Sequence, residues 1–571
     1  MISFENITKG FGGNFLFNCV GFKINPGERV GLVGRNGSGK TTIFRMIINQ
    51  EDPDSGTINI RKNYRLGYVR QEFEFEKENV IDECARGLPE NEQDHFWKVE
   101  KILSGLGFSN SRLKSNPKEL SGGFQVRLNL AKTLVAEPDL LLLDEPTNYL
   151  DILSIRWLER FLINWPHELI LITHDRSFMD KIVTHTMGIH RCRIRKIKGN
   201  TLKYYSQLAK DEEIYEKTRV NDEKRRKEIE LFISRFRAKA RLANLVQSRI
   251  KTLSKINKSE KLKKIKDLEF SFKNIPFSGN RVANLSHVSF SYESTKPLIK
   301  DFNITVVPGD KICIVGKNGK GKTTLIKLLA GSLKPQGEIT YHGSIKKGIF
   351  EKTNIKNLVN SRTVADEILY SQKTADPQLA RDICGAMMFY GDDALKKISQ
   401  LSGGEKSRVM LGKLLVKPLN LLILDEPTNH LDMDSCDALL SALVAFDGVI
   451  IIVTHNEMFL HTLAKRLIVF SDDGVNLFEG TYQSFLDKGG WGGEESSLRL
   501  PPKDQKYQKS SQGLGKKEIK RLRSQIIAQK SKTLKPLQRD ISRLENDIEL
   551  EEYNKALVEA SMENNSANIA K

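Results

Sequence analysis

Only six of the 571 residues are cysteine, at 19, 84, 192, 313, 384 and 436, and no two form a Cys-x-x-Cys pair. That scatter excludes a disulfide framework and a zinc ribbon, and it suits reduced, structural thiols in a cytoplasmic chain. No apolar run approaches the roughly 18 residues of a membrane span, so an exporter would need a separate membrane subunit. No secretory leader is expected, because Met1-Ile-Ser-Phe-Glu leads straight into a strand-like segment. Acidic residues are in deficit: 71 Asp and Glu face 90 Lys and Arg, a formal charge of +19. The excess favours a polyanionic partner and says nothing about fold.

What is there begins with Gly34-Arg35-Asn36-Gly37-Ser38-Gly39-Lys40-Thr41-Thr42. It follows the apolar run Val30–Val33 and precedes an apolar-periodic segment, which reads as strand, glycine loop, helix. The pattern G-x-x-x-x-G-K-[ST] is a P-loop: backbone N–H groups and a helix N-terminus converge on phosphate oxygens. Lys40 is expected on the β- and γ-phosphates of a nucleotide and Thr41 on Mg²⁺.

The stretch occurs twice. Gly316-Lys317-Asn318-Gly319-Lys320-Gly321-Lys322-Thr323-Thr324 repeats it, 282 residues on from Lys40 to Lys322. Ser121-Gly122-Gly123 returns as Ser402-Gly403-Gly404, Asp144-Glu145 as Asp425-Glu426, and His174 as His455, each at an offset of 281. So long a period means two copies of one domain, not a solenoid. The apolar runs Leu140–Leu143 and Leu421–Leu424 read as strands buried on both faces of a parallel sheet.

In this order, and twice over, the motifs resemble the ATP-binding-cassette (ABC) ATPases. The resemblance implies an α/β fold with two tandem P-loop cassettes, residues 1–204 and 276–490. They would face each other as an internal pseudo-dimer in a monomer. ATP and Mg²⁺ would bind at each P-loop, completed by the Leu-Ser-Gly-Gly of the other copy, so Ser402 serves the first site and Ser121 the second. The same resemblance places Phe11 and Tyr292 on adenine and puts Asp144 and Asp425 on Mg²⁺. Glu145 and Glu426 become the general bases, His174 and His455 bridge water and γ-phosphate, and Gln71 contacts metal and water. At the position of Gln71 the second copy carries Lys352, which cannot accept a bond from water, so its site is expected to turn over more slowly. Asn148-Tyr149-Leu150-Asp151 resembles the loop that couples the two sites. Matched P-loop-to-Ser-Gly-Gly spacings argue against a large inserted arm in the first copy.

Between the copies, residues 224–266 contain 16 basic and 3 acidic residues, with no Gly or Pro. Helically spaced apolar residues predict a hairpin of two long charged helices within 205–275. This linker resembles that of the ABC-F family, tandem-cassette proteins without membrane domains that act on ribosomes. The resemblance implies entry into the tRNA exit site, with rRNA and peptidyl-tRNA as partners. Arg235, Arg237, Lys239, Arg241, Arg249 and Lys251 are the expected RNA contacts. Residues 491–515 read as a flexible linker and 516–571 as a C-terminal coiled coil, with basic residues that would suit nucleic acid. Two rival readings are antibiotic-resistance ribosome protection, disfavoured by a short hairpin tip, and a nucleic-acid structure-binding ATPase that uses the tail.

Overall fold

The computed structural model describes residues 2–11, 14–69, 75–236, 247–248, 251, 271–292, 297–351, 358–372, 376–429, 431–471 and 474–491. All belong to the unit Met1–Arg499; a second unit, Leu500–Lys571, with the expected coiled coil, lies outside the described residues.

The first cassette opens with strands β1 (Ile2–Phe11), β2 (Asn14–Ile24) and β3 (Arg29–Val33), then helix α1 (Lys40–Ile47), β4 (Ser55–Ile60) and β5 (Leu66–Tyr68). Short helices α2 (Val80–Ala85), α3 (Phe96–Gly105) and α4 (Asn110–Leu113) lead to α5 (Gly122–Val135). Among the described residues between P-loop and Ser-Gly-Gly, no element projects as an arm. Strand β6 (Leu140–Asp144), α6 (Ile152–Ile163), β7 (Glu168–Ile172), α7 (Arg176–Ile182), β8 (His185–His190) and β9 (Arg193–Lys198) complete the cassette. A six-stranded sheet runs β5-β6-β7-β3-β8-β9, parallel except for β9, and β2-β1-β4 form a separate antiparallel sheet.

The four-leucine run of β6 is continuous because both of its faces are covered. Leu140 and Leu142 pack with Ile2, Phe4 and Ile7 between the two sheets. Leu141 and Leu143 point the other way, into the helices, with Val99, Leu128 and Leu158. Each such leucine contributes about 1.5–3 kcal/mol by leaving water. The side-chain period of two divides one run between two cores.

A long helix, α8 (Thr201–Phe236, 36 residues), leaves the first cassette. It starts before the expected boundary at 204: Asn200 caps it by accepting from the Lys203 N–H at 3.1 Å, and Tyr204 in its first turn is 2% exposed and packed in the first cassette's core. His190 and Arg191 both hold Glu212 at 2.9 Å, tethering its base. Beyond, Glu213–Lys217, Arg219–Glu223 and Arg226–Glu230 pair at i,i+4 along the shaft. A helix of this length spans roughly 54 Å at 1.5 Å per residue. The hairpin turn and Arg237, Lys239, Arg241 and Arg249 lie outside the described residues. Arg235 falls within α8 without a described side chain, and Lys251 is exposed.

The second cassette repeats the plan. Its elements are β10 (Ala283–Phe290), β11 (Ile299–Val306), β12 (Lys311–Gly316), α9 (Lys322–Ala330), β13 (Gln336–Tyr341), β14 (Lys347–Phe350), α10 (Val364–Leu369), α11 (Pro377–Ala386), α12 (Gly403–Val416), β15 (Leu421–Asp425), α13 (Met433–Ala445), β16 (Val449–Val453), α14 (Glu457–Leu463), β17 (Arg466–Ser471), β18 (Gly474–Glu479) and α15 (Tyr482–Asp487). The six-stranded order is β14-β15-β16-β12-β17-β18. Both of its ends differ from the expected bounds. Ile275 donates to the Leu419 carbonyl at 3.0 Å and Phe272 is buried, so the cassette begins before 276. Trp491, assigned to the flexible linker, is 4% exposed and packs edge-on against Phe485, because an indole beside an apolar helix gains by leaving water.

Candidate nucleotide sites

In an open α/β sheet, ligands bind beyond the carboxyl ends of the strands. Here the neighbours β6, β7 and β3 deliver Asp144, the segment to His174, and the P-loop to one edge; β15, β16 and β12 do the same in the second copy. Gly39 and Gly321 take φ of 98° and 106° at the N-caps of α1 and α9. A Cβ on Gly39 would stand 2.6 Å from the Phe17 ring, so both backbone hand and space demand glycine.

A cavity of about 810 Å³ is lined by Phe11, Asn36, Gly37, Gly39, Lys40, Thr41, Thr42, Asp144, Glu145 and His174, among others. A second, of about 440 Å³, is lined by Tyr292, Asn318, Gly319, Gly321, Lys322, Thr323, Thr324, Asp425, Glu426 and His455. Phe11 and Tyr292 are 52% and 61% exposed at the cavity rims, with Lys9 over the Phe11 ring and Phe290 edge-on to Tyr292. Thr41 Oγ1 donates to Asp144 at 3.1 Å. A hydroxyl and a carboxylate are the hard oxygen donors that suit Mg²⁺, which keeps its remaining positions for water and phosphate. The buried Ser38 Oγ has no hydrogen-bond partner, as fits a loop shaped for an acceptor-rich ligand.

The lysines are held in the loops. Lys40 Nζ donates to the carbonyls of Gly34 at 2.6 Å and Arg35 at 3.1 Å, and Lys322 to Gly316 and Lys317, both at 2.8 Å. Burial lowers the pKa of both ammonium groups, while Glu145 and Glu426, respectively, act against it. Burial and then Asp144 push Glu145 up to about 8. Its carboxylate lies 3.2 Å from His174 Nε2, and Glu426 lies 3.2 Å from His455 Nε2.

Sequence reasoning missed two features. Glu145 and Glu426 have φ of 51° and 49°, the left-handed region that a glutamate rarely enters. Each donates its N–H to the next strand, Glu145 to Ile172 and Glu426 to Val453, both at 2.9 Å. The strand ends at the aspartate, and the turn re-aims the glutamate. The second is a reciprocal exchange between cassettes. Asp151 accepts from the Asn318 N–H at 3.2 Å, and Asp432 from the Asn36 N–H at 3.3 Å. Ile152 packs in the second cassette's core and Met433 in the first's. The sequence signal for it was the Asn148-Tyr149-Leu150-Asp151 run, which returns at 429–432.

Not every expected residue lines a cavity. Among the described lining residues neither cavity includes Ser121, Gly122, Gly123, Ser402, Gly403 or Gly404. Ser402 caps α12 through a capping box with Glu405, whereas Ser121 makes no side-chain cap bond at α5. Arg35 pairs with Asp434 of the second cassette at 3.1 Å, and Gln71 and Lys352 lie outside the described residues.

Fold and site together define an ABC-type P-loop ATPase. A family model described as "ABC transporter" matches residues 17–148 and again 299–429, and a second so described matches 187–272. "Putative ATP-binding protein YdiF" of Bacillus subtilis is 32% identical over 535 residues, covering 86% of this chain and 83% of that one. "Probable ATP-binding protein YheS" of Escherichia coli K12 is 33% identical, covering 85% and 81%. "ABC transporter F family member 2" of Arabidopsis thaliana is 33% identical, covering 85% and 79%. The solved "RNase-L Inhibitor" shares the fold, with a TM-score of 0.58 at 18% identity over 86% of this chain and 93% of that one. The chain belongs to the ABC-F family of tandem-cassette ATPases, and it hydrolyses ATP. Among the described residues no helix is long and apolar enough to cross a membrane.

Proposed function

We propose that this ATPase is a nucleotide switch on the ribosome. With two ATP bound, the cassettes close and hold the basic linker in the tRNA exit site, against rRNA and peptidyl-tRNA near the peptidyl-transferase centre. Hydrolysis opens the cassettes and releases the factor. Catalysis is positioning and charge stabilisation. Lys40 and Lys322 would leave their loop carbonyls for phosphate. Mg²⁺, held through Thr41 with Asp144 and Thr323 with Asp425, would neutralise phosphate charge. Glu145 and Glu426 orient the attacking water, with His174 and His455 beside them. Ser402 and Ser121 complete the opposite sites on closure.

The observation that carries this reading is α8, a 36-residue helix that runs on into the basic stretch. Its mixed charges pair along the shaft, which leaves the unbalanced positive charge for the distal part, where a phosphate backbone would be met. Co-sedimentation of Glu145→Gln/Glu426→Gln with ribosomes tests it. Retention that requires ATP is expected. No retention with ATP binding intact would overturn the ribosomal reading and favour a nucleic-acid partner at the tail.

A further inference from the structure

The seam between the cassettes carries four described ion pairs. Arg156 meets Glu457 at 3.1 Å, Lys181 meets Glu457 at 2.7 Å, Arg176 meets Asp437 at 2.7 Å and Arg35 meets Asp434 at 3.1 Å. Every cation belongs to the first cassette and every anion to the second. The segregation goes beyond coincidence of position, because two of the pairs are the same pair. The 281-residue offset takes Arg156 to Asp437 and Arg176 to Glu457. The pseudo-twofold therefore relates Arg156–Glu457 to Arg176–Asp437, with the sign of the charge exchanged at both positions.

We propose that this seam is a charge code for partner choice, which admits one first cassette against one second cassette and rejects two of a kind. In a pairing of two first cassettes, Arg156 would face Arg176 in both halves of the interface. In a pairing of two second cassettes, Asp437 would face Glu457. Like charges brought together cost binding, while the mixed pairing gains two ion pairs. The code is needed because the aspartate and apolar contacts across the seam are symmetric. Asp151 and Asp432 make the same bond to either P-loop, and Ile152 and Met433 are both apolar. Such a seam alone would not distinguish a proper closure within one chain from like-with-like association between two chains. Glu457 is 10% and Arg156 22% exposed, so these charges are desolvated enough to discriminate. The pairs flank the sites: Arg176 and Glu457 follow His174 and His455 by two residues. The code therefore acts on the closing motion itself.

The test uses the full chain with spin labels on the two cassettes, measuring the ATP-induced closed fraction at low salt. Arg156→Glu/Arg176→Glu should reduce the apparent ATP affinity for closure at least tenfold. Adding Asp437→Arg/Glu457→Arg should restore it, because the swapped pairs are again complementary once Lys181, which also meets Glu457, is removed by Lys181→Gln in every protein compared. Thermal unfolding of each variant establishes that it is folded. If the reversed variant closes like wild type, or the folded four-residue swap closes no better than the reversal, the code is refuted. Raising the salt should shrink the difference between wild type and reversal, since partly exposed pairs are screened; a salt-independent difference would also refute it.

Discussion

The glutamate that ends each buried strand is the residue on which chemistry depends. Glu145 sits in a left-handed turn at φ 51°, a conformation that costs of order 1–3 kcal/mol and that the Ile172 carbonyl helps to hold. Its pKa is raised to about 8 from the ordinary 4.5 by burial first. A raised carboxylate pKa means that the group is protonated below that value and acts as a base only above it. The kcat/KM for ATP hydrolysis, which reports the free enzyme, is thus expected to climb with pH up to about 8. Glu145→Gln in a Glu426→Gln background should remove that limb and lower kcat by about 10²–10⁴-fold. The folded state also binds this proton more tightly than the unfolded chain, so the Glu145 contribution to stability grows as pH falls from 8 towards 4.5. The Asp-Glu pair after four apolar residues was legible in the sequence, because a strand buried on both faces must be apolar throughout. The turn that aims Glu145 was not, because its geometry comes from the neighbouring strand and not from the glutamate's own preference.

At the scale of elements, the two Ser-Gly-Gly helices are not equivalent. Ser402 accepts from the Glu405 N–H at 3.3 Å and donates its hydroxyl to Glu405 at 2.8 Å. In α5 the third helical residue is Phe124, with the Arg112 and Arg127 guanidinium carbons 4.2 and 4.8 Å from its ring centroid. Glu405→Ala should cost about 1 kcal/mol through the lost capping box, a drop of roughly 2–4 °C in the melting temperature of the second cassette. Phe124→Ala gives no such cap loss, and differential scanning calorimetry would separate the two. The helical linker shows what sequence can and cannot carry. A long stretch without Gly or Pro, with charges spaced to pair at i,i+4, announces a helix. Its start is marked locally by Gly199-Asn200, whose asparagine accepts from the Lys203 N–H at 3.1 Å, while the burial of Tyr204 that joins its first turn to the cassette is a tertiary fact. Trp491 was misread for the same reason: glycines on either side signal a loop, but the indole finds Phe485.

At the scale of the molecule, the repeat made two cassettes legible, and their mutual arrangement was legible only through likeness to a family. The structure supplies the physical link, since Asp151 reaches the second P-loop and Asp432 the first. Each aspartate should therefore report on the site of the other cassette. With Glu145→Gln silencing the first site, Asp151→Asn should slow single-turnover hydrolysis at the second. With Glu426→Gln silencing the second, the same substitution should leave the first near wild type. Equal losses in both backgrounds would mean that the contact matters only for stability. Arg127 strengthens this link: it lies 3.7 Å from Asp151 and donates to the Tyr149 carbonyl at 2.6 Å, joining α5 to the loop that touches Asn318. Closure, hydrolysis and release would then be one coupled event, read out by where the linker rests. Electron cryomicroscopy of Glu145→Gln/Glu426→Gln trapped on ribosomes with ATP tests that most directly. The account predicts closed cassettes with the linker in the tRNA exit site and its basic residues along RNA phosphates. Particles with the factor bound elsewhere, or with the linker clear of RNA, would contradict it.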